Sequence, residues 1–126
     1  MAPEHTEDSV LKLMAKPSFA LFERLRTEFD RIVASSGRKC ELVPYFISGH
    51  PGCGMREMQR LARKPALQGL YMDQVQDFTP TPMTTSSVMY YTGLDPKNLE
   101  KVFVERDIER KKEQKSFFFR RGKNNR

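Results

Sequence analysis

Residues 42–54 (Leu-Val-Pro-Tyr-Phe-Ile-Ser-Gly-His-Pro-Gly-Cys-Gly) constrain the fold more than any other stretch of the chain. A nearly continuous apolar run over 42–48 meets a glycine- and proline-rich turn, and Met55, Met58, Leu61 and Ala62 follow at helical spacing. Short unbroken apolar runs belong to strands buried on both faces, as in parallel sheets. Pro44 weakens the first part of this strand, because proline removes a ladder donor. Pro65 and Gly69 bound the helix. Gln74-Val75-Gln76-Asp77-Phe78 then reads as a second short strand, stopped by Thr79-Pro80-Thr81-Pro82. Strand, glycine turn, helix, strand is the order of a βα unit with parallel strands, so the expected class is α/β. Two or three strands make an incomplete layer, and an unpaired edge of this kind invites self-association.

Helical signals flank this unit. Thr6, followed by Glu7 and Asp8, reads as an N-cap with acids in the first turn, and Val10, Leu11, Leu13 and Met14 give an apolar face ended by Pro17. Ser18 is expected to cap a longer helix in which Phe22, Leu25, Phe29, Ile32 and Val33 form one stripe, with Gly37 closing it in the left-handed conformation. Val88, Met89, Tyr90 and Tyr91 fit a short helix or an ordered loop. Residues 97–119 fit one or two helices, and 120–126 are expected to be mobile. The organisation read from this is a body over 1–96 and a basic, partly helical and partly disordered extension over 97–126.

Charge separates these parts. Residues 1–100 carry 12 basic and 12 acidic side chains, whereas 101–126 carry 10 basic and 4 acidic and so hold the whole net charge of +6. Nucleic-acid binding therefore rests on the tail, where Arg110, Lys111, Lys112 and Lys115 precede Phe117-Phe118-Phe119 and Arg120-Arg121. A charged helix whose phenylalanines pack on protein is the favoured alternative, because Glu105, Asp107, Glu109 and Glu113 dilute the field. With 38% hydrophobic residues among 126, the chain has enough apolar material for one modest core and is not disordered as a whole. No apolar run reaches membrane-span length, so no membrane partner is expected. Cys40 and Cys53 cannot make a disulfide framework, which points to a reducing cytoplasm. They form no Cys-x2-Cys pair and lie in no cluster with His5 or His50, so no metal site is expected within the chain.

Two places can carry chemistry. The strand end Phe46-Ile47-Ser48-Gly49-His50 sits where parallel α/β folds bind ligands, and its glycines permit close backbone approach. A purely structural turn is an equal reading, and His50 reads more readily as a turn residue than as a base. Gln74 and Gln76 share one face of the second strand, with Val75 and Asp77 on the other. Such a polar face means either a half-solvated edge or the lining of a cavity.

The segments Ala2-Pro3-Glu4-His5-Thr6, Val10-Leu11-Lys12-Leu13-Met14-Ala15-Lys16-Pro17, residues 42–52, residues 74–84 and Met89-Tyr90-Tyr91-Thr92-Gly93 occur in an order that resembles the C-terminal half of the YgiQ-type radical S-adenosylmethionine proteins. The resemblance runs from about residue 2 to about residue 120. It implies late βα units of a partial parallel (β/α) barrel from an iron–sulfur oxidoreductase. In the parent, a [4Fe–4S] cluster and S-adenosylmethionine would be the cofactors. Glu4, Phe46, Ile47, Ser48, Gly49, His50, Gln74 and Gln76 would contribute to the cofactor wall. The family's Cys-x3-Cys-x2-Cys cluster motif is not in this sequence. The chain is thus expected to be a piece whose partner is the cluster-binding half of the same protein, inert alone, with neither cofactor bound.

Overall fold

Two short parallel strands and one bridging residue lie side by side in chain order. The computed structural model describes residues 1–72 and 74–121, with backbone only for 119–121. Its elements are α1 (Asp8–Leu13), α2 (Phe19–Ser36), β1 (Phe46–Ser48), α3 (Met55–Ala62), β2 (Val75–Asp77), α4 (Thr85–Thr92) and α5 (Ile108–Arg121), with a 3-10 turn at Pro65–Leu67. β1 and β2 pair in parallel, setting Phe46 beside Val75, Ile47 beside Gln76 and Ser48 beside Asp77. On the other side of β1, Glu4 makes one parallel bridge to Phe46. Helices α1 and α2 connect residue 4 to β1, and α3 connects β1 to β2. This is the parallel α/β arrangement expected from the sequence.

β1 is shorter than the apolar run that announces it. Pro44 is buried and has no N–H to offer toward β2, so pairing with β2 begins only at Phe46, whose N–H donates to the Gln74 carbonyl at 2.9 Å. The Tyr45 N–H points to the opposite edge and donates to the Met1 carbonyl at 2.8 Å. The start of α1 also differs from the sequence reading. Glu7, not Thr6, is the N-cap. Thr6 is buried with its hydroxyl donating to the Glu7 carboxylate at 3.4 Å, and the Glu7 N–H donates to His5 Nδ1 at 3.0 Å.

Helix α2 begins and ends as expected. Ser18 Oγ accepts from the Ala20 N–H at 3.3 Å, and Gly37 closes the helix at φ 65°. Asp8 joins α1 to α2: its carboxylate accepts from the Phe19 N–H at 3.0 Å and the Ser18 hydroxyl at 2.8 Å. These two bonds, the backbone one foremost, hold its pKa below the ordinary carboxylate value. The apolar stripe is buried only at its first turns. Phe19 and Phe22 stack at 5.2 Å within the core, whereas Leu25 and Ile32 are 43% and 54% exposed.

Residues 88–91 are helical, within α4, whose N-cap Thr84 accepts from the Ser87 N–H at 3.3 Å. In the basic extension, 97–107 hold no helix, and α5 takes up the rest of the described chain. Arg120 and Arg121, read from the sequence as mobile, belong to its last turn, and the expectation for 122–126 lies outside the described residues. α5 packs on α3, β1 and β2. Phe118 is buried with its ring 5.8 Å from that of Phe46, and Phe117 packs at the edge of the same core.

The turn after β1 is tightly confined. Gly52 has φ 85°, its N–H donates to the Phe103 carbonyl at 2.7 Å, and a Cβ there would overlap Leu13 Cδ1. Leu13 Cδ1 is the end of a half-buried side chain that can turn aside, so left-handed strain dominates and Gly52→Ala is expected to cost about 1–2 kcal/mol. Denaturant unfolding of the variant beside the parent chain measures this. Gly69→Ala, also at positive φ but with no atom near its missing Cβ, is expected to lose only the strain component.

Candidate functional site

The two faces of the sheet differ sharply. Phe46, Ser48 and Val75 are buried on the face covered by helices. Along a strand, side chains alternate between faces, so Ile47, Gln74 and Gln76 point the other way. There Ile47 is half-buried and the two glutamines are exposed, with Gln76 Nε2 donating to the Tyr45 hydroxyl at 3.2 Å. Glu4, at the edge, has φ 67°, and its half-buried carboxylate meets Lys16 Nζ at 3.4 Å.

Behind the sheet lies a polar knot built from three distant parts of the sequence. Gln114 of α5 is 0% exposed; its Oε1 accepts from the Gly49 N–H at 3.1 Å and its Nε2 donates to the Cys53 carbonyl at 3.4 Å. His5, also fully buried, accepts the Glu7 N–H at Nδ1, so its proton sits on Nε2 and faces Cys53 Sγ at 3.4 Å. The Cys53 thiol lies 3.8 Å from Gln114 Oε1. Burial pushes this thiol up to about 12, with the Glu57 carboxylate adding to the rise against a Gly49 N–H that opposes it. It is therefore a protonated structural thiol rather than a nucleophile. Burial first, and the neighbouring His50 second, push His5 down to about 3, so its ring is neutral at pH 7.

His50 closes the strand end. Its Nδ1 lies 2.8 Å from the Pro51 carbonyl, which can only accept, so Nδ1 carries the proton. The lone pair on Nε2 then accepts the Ser86 hydroxyl at 2.7 Å. Burial lowers the His50 pKa against the opposing pull of the Pro51 carbonyl, which leaves a neutral imidazole. The ring meets Phe78 edge-on at 5.0 Å, and Phe78 meets Tyr90 at 5.7 Å. Below them, Ser48 Oγ donates to Asp77 Oδ1 at 2.8 Å, and Lys115 of α5 reaches Asp77 Oδ2 at 3.2 Å.

The residues singled out from sequence thus divide. Ile47, Gln74 and Gln76 lie together on the open face. Phe46, Ser48, Gly49 and His50 are buried, so their side chains cannot meet a ligand on that face. The Gly49 backbone is at the strand end with φ 70°; a Cβ would stand 3.9 Å from Lys111 Cγ, so the conformation, not crowding, calls for glycine. Sequence reasoning missed Ser86, the His5–Cys53 pair and Gln114. The last had a visible signal: Gln114, Phe117 and Phe118 fall at i, i+3 and i+4, one helix face with a glutamine on it. Among the described residues, no group of three or more His, Cys, Asp and Glu side chains could hold a metal ion. Nor is any described helix long and apolar enough to cross a membrane.

Known proteins are similar to this sequence. Residues 73–126 match the family model described as "Domain of unknown function (DUF3362)". Over 119 residues, 94% of the chain, it is 46% identical to a UPF0313 protein of Bacteroides thetaiotaomicron. A UPF0313 protein of Methanosarcina mazei is 41% identical over 122 residues, 97% of the chain. The chain is similar to these UPF0313 proteins over nearly its whole length. It spans about a fifth of their length, 19% and 20% in these two cases. No solved structure matches.

This buried knot makes stability depend on pH. His5 and His50 have folded-state pKa values below the ordinary 6.5, so the unfolded chain binds protons that the native one excludes. Their stabilising contribution is complete above pH 6.5 and is lost as pH falls toward the folded value of about 3 for His5. Denaturant midpoints measured from pH 7 to pH 4 are expected to fall, at up to about 1.4 kcal/mol per pH unit for each histidine. His5→Gln is expected to flatten that slope, and an unchanged slope would show that His5 is not held neutral.

Proposed function

We propose that this chain builds one wall of the S-adenosylmethionine site in a radical S-adenosylmethionine enzyme, within a longer UPF0313-type protein. One observation carries the reading: residue 4, β1 and β2 run parallel in chain order, with helices packed behind and Ile47, Gln74 and Gln76 open in front. Parallel strands laid down in sequence with helices outside are the units of a (β/α) barrel, whose strand ends and loops form the ligand site. The sequence resemblance supports the same assignment.

The open face fits a nucleoside. Ile47 offers an apolar surface to a base, and the carboxamides of Gln74 and Gln76 can both donate and accept hydrogen bonds. α5 seals the opposite face, which keeps water from reaching the strands from behind. When bound and reduced, S-adenosylmethionine supplies a hydrogen-abstracting radical; the task of these side chains is to hold and orient it. The described residues do not fit an iron–sulfur cluster. Cys53 is buried and protonated, and Cys40 stands alone at the surface. Cluster ligands are assigned to the part of the longer protein that this chain does not represent.

The test uses the Bacteroides thetaiotaomicron relative in full length, prepared without oxygen in the presence of iron and sulfide. On reduction it is expected to convert S-adenosylmethionine into 5′-deoxyadenosine and methionine. Glutamate in place of its counterpart of Ile47 is expected to lower that yield about tenfold or more, a loss of roughly 1.4 kcal/mol, with iron content unchanged. A protein that takes up no cluster, or a yield indifferent to this substitution, overturns the reading.

A further inference from the structure

The exposed face of α3 carries a row of cations that the balanced charge of the body conceals. Met58 and Leu61 are buried, which turns Arg56, Gln59, Arg60 and Arg63 outward at the i, i+3, i+4 and i+7 positions of one helix face. With Lys64, Pro65 and Glu7 they line an open groove of about 470 Å³. Four cations and one carboxylate thus line the groove, with the Asp8 carboxylate near Lys64 outside it. Glu7 meets Arg60 at 3.5 Å, a long contact, while accepting the Thr6 hydroxyl on its other oxygen. Lys64 lies 5.3 Å over the Phe19 ring. Glu57, the nearest other acid in sequence, is turned away and accepts the Gly54 N–H at 2.9 Å. Arg56 and Arg63 have no acidic partner among the described residues.

We infer that this groove binds a chain of linked phosphates. From Arg56 to Arg63 the helix advances about 10 Å, against about 3.4 Å of axis per phosphate along a nucleic-acid strand, so roughly three phosphates fit the row. Guanidinium forks match phosphate oxygens two at a time. An acidic peptide is the weaker occupant, because protein recognition relies on buried apolar anchors and Pro65 is the only apolar residue in the lining. The site also replaces the tail as the nucleic-acid surface: Phe118 is in the core and Phe117 packs against it, so neither is free to stack on bases. The side chains of residues 119–121 lie outside the described set. The linked phosphates can come from a free oligophosphate or from the backbone of a nucleic-acid strand.

The test measures binding of a fluorescent single-stranded RNA dodecamer by this chain over a range of salt, with inorganic tripolyphosphate as competitor. The doubly substituted Arg56→Gln/Arg63→Gln chain is compared with a control of equal charge, Arg110→Gln/Lys112→Gln, both checked for native circular dichroism. The α3 pair is expected to weaken binding at least about tenfold and to reduce the salt slope by about 1.4, two phosphate contacts at 0.7 each. The α5 pair is expected to change affinity by less than about threefold, as exposed charges away from the site do when screened. Tripolyphosphate that displaces the RNA identifies a free oligophosphate as sufficient; RNA binding that resists it identifies the strand as ligand. No binding of either probe at low salt, or equal losses in both variants, overturns the inference.

Discussion

Everything in this fold depends on α5 closing the back of a very small sheet. Two strands of three residues and one extra bridge are far below what stands alone in water. Gln114 and Phe118, one helical turn apart, provide cover of two kinds. Phe118 removes apolar surface from water against Phe46, worth about 2–3 kcal/mol for a fully buried ring. Gln114 satisfies the Gly49 N–H and the Cys53 carbonyl, two backbone groups that would each cost about 1–3 kcal/mol if buried unpaired. The most basic part of the sequence is therefore an organising element of the core.

That arrangement explains why the ends of the strands hold neutral polar groups. His5, Cys53 and His50 are all packed where charge is costly, so burial keeps each uncharged, and hydrogen bonds orient the two imidazole rings. His5 takes the Glu7 N–H; His50 gives its proton to the Pro51 carbonyl and takes that of Ser86. The charged pairs lie further out, at Lys115–Asp77 and Lys16–Glu4, where solvent reaches them. With one face of the sheet closed by these contacts, the face of Ile47, Gln74 and Gln76 is the open one.

Much of the framework was legible in residues 42–78. The glycine turn, the α3 periodicity and the parallel pairing followed from local pattern and chain order. So did Ser18 and Gly37 at the ends of α2, because caps act within a few residues. The missing pieces were those decided at long range. The N-terminal residues pair along the far edge of β1, where the Tyr45 N–H meets the Met1 carbonyl, a contact between segments far apart in sequence. The α2 stripe looked like a core face along its whole length, but Leu25 and Ile32 stay exposed because burial depends on what packs opposite, which periodicity cannot say. Of the eight residues assigned to a cofactor wall, strand alternation separated the glutamines correctly, yet it could not tell which face α5 would cover.

We propose that the uncovered sheet face receives S-adenosylmethionine. Hydrogen–deuterium exchange of a full-length UPF0313 relative, with and without S-adenosylmethionine, tests it most directly. Slower exchange is expected in the peptides matching residues 45–49 and 74–78, with the α5 counterpart unchanged. Protection confined to other regions, with these two peptides unaffected, would contradict it.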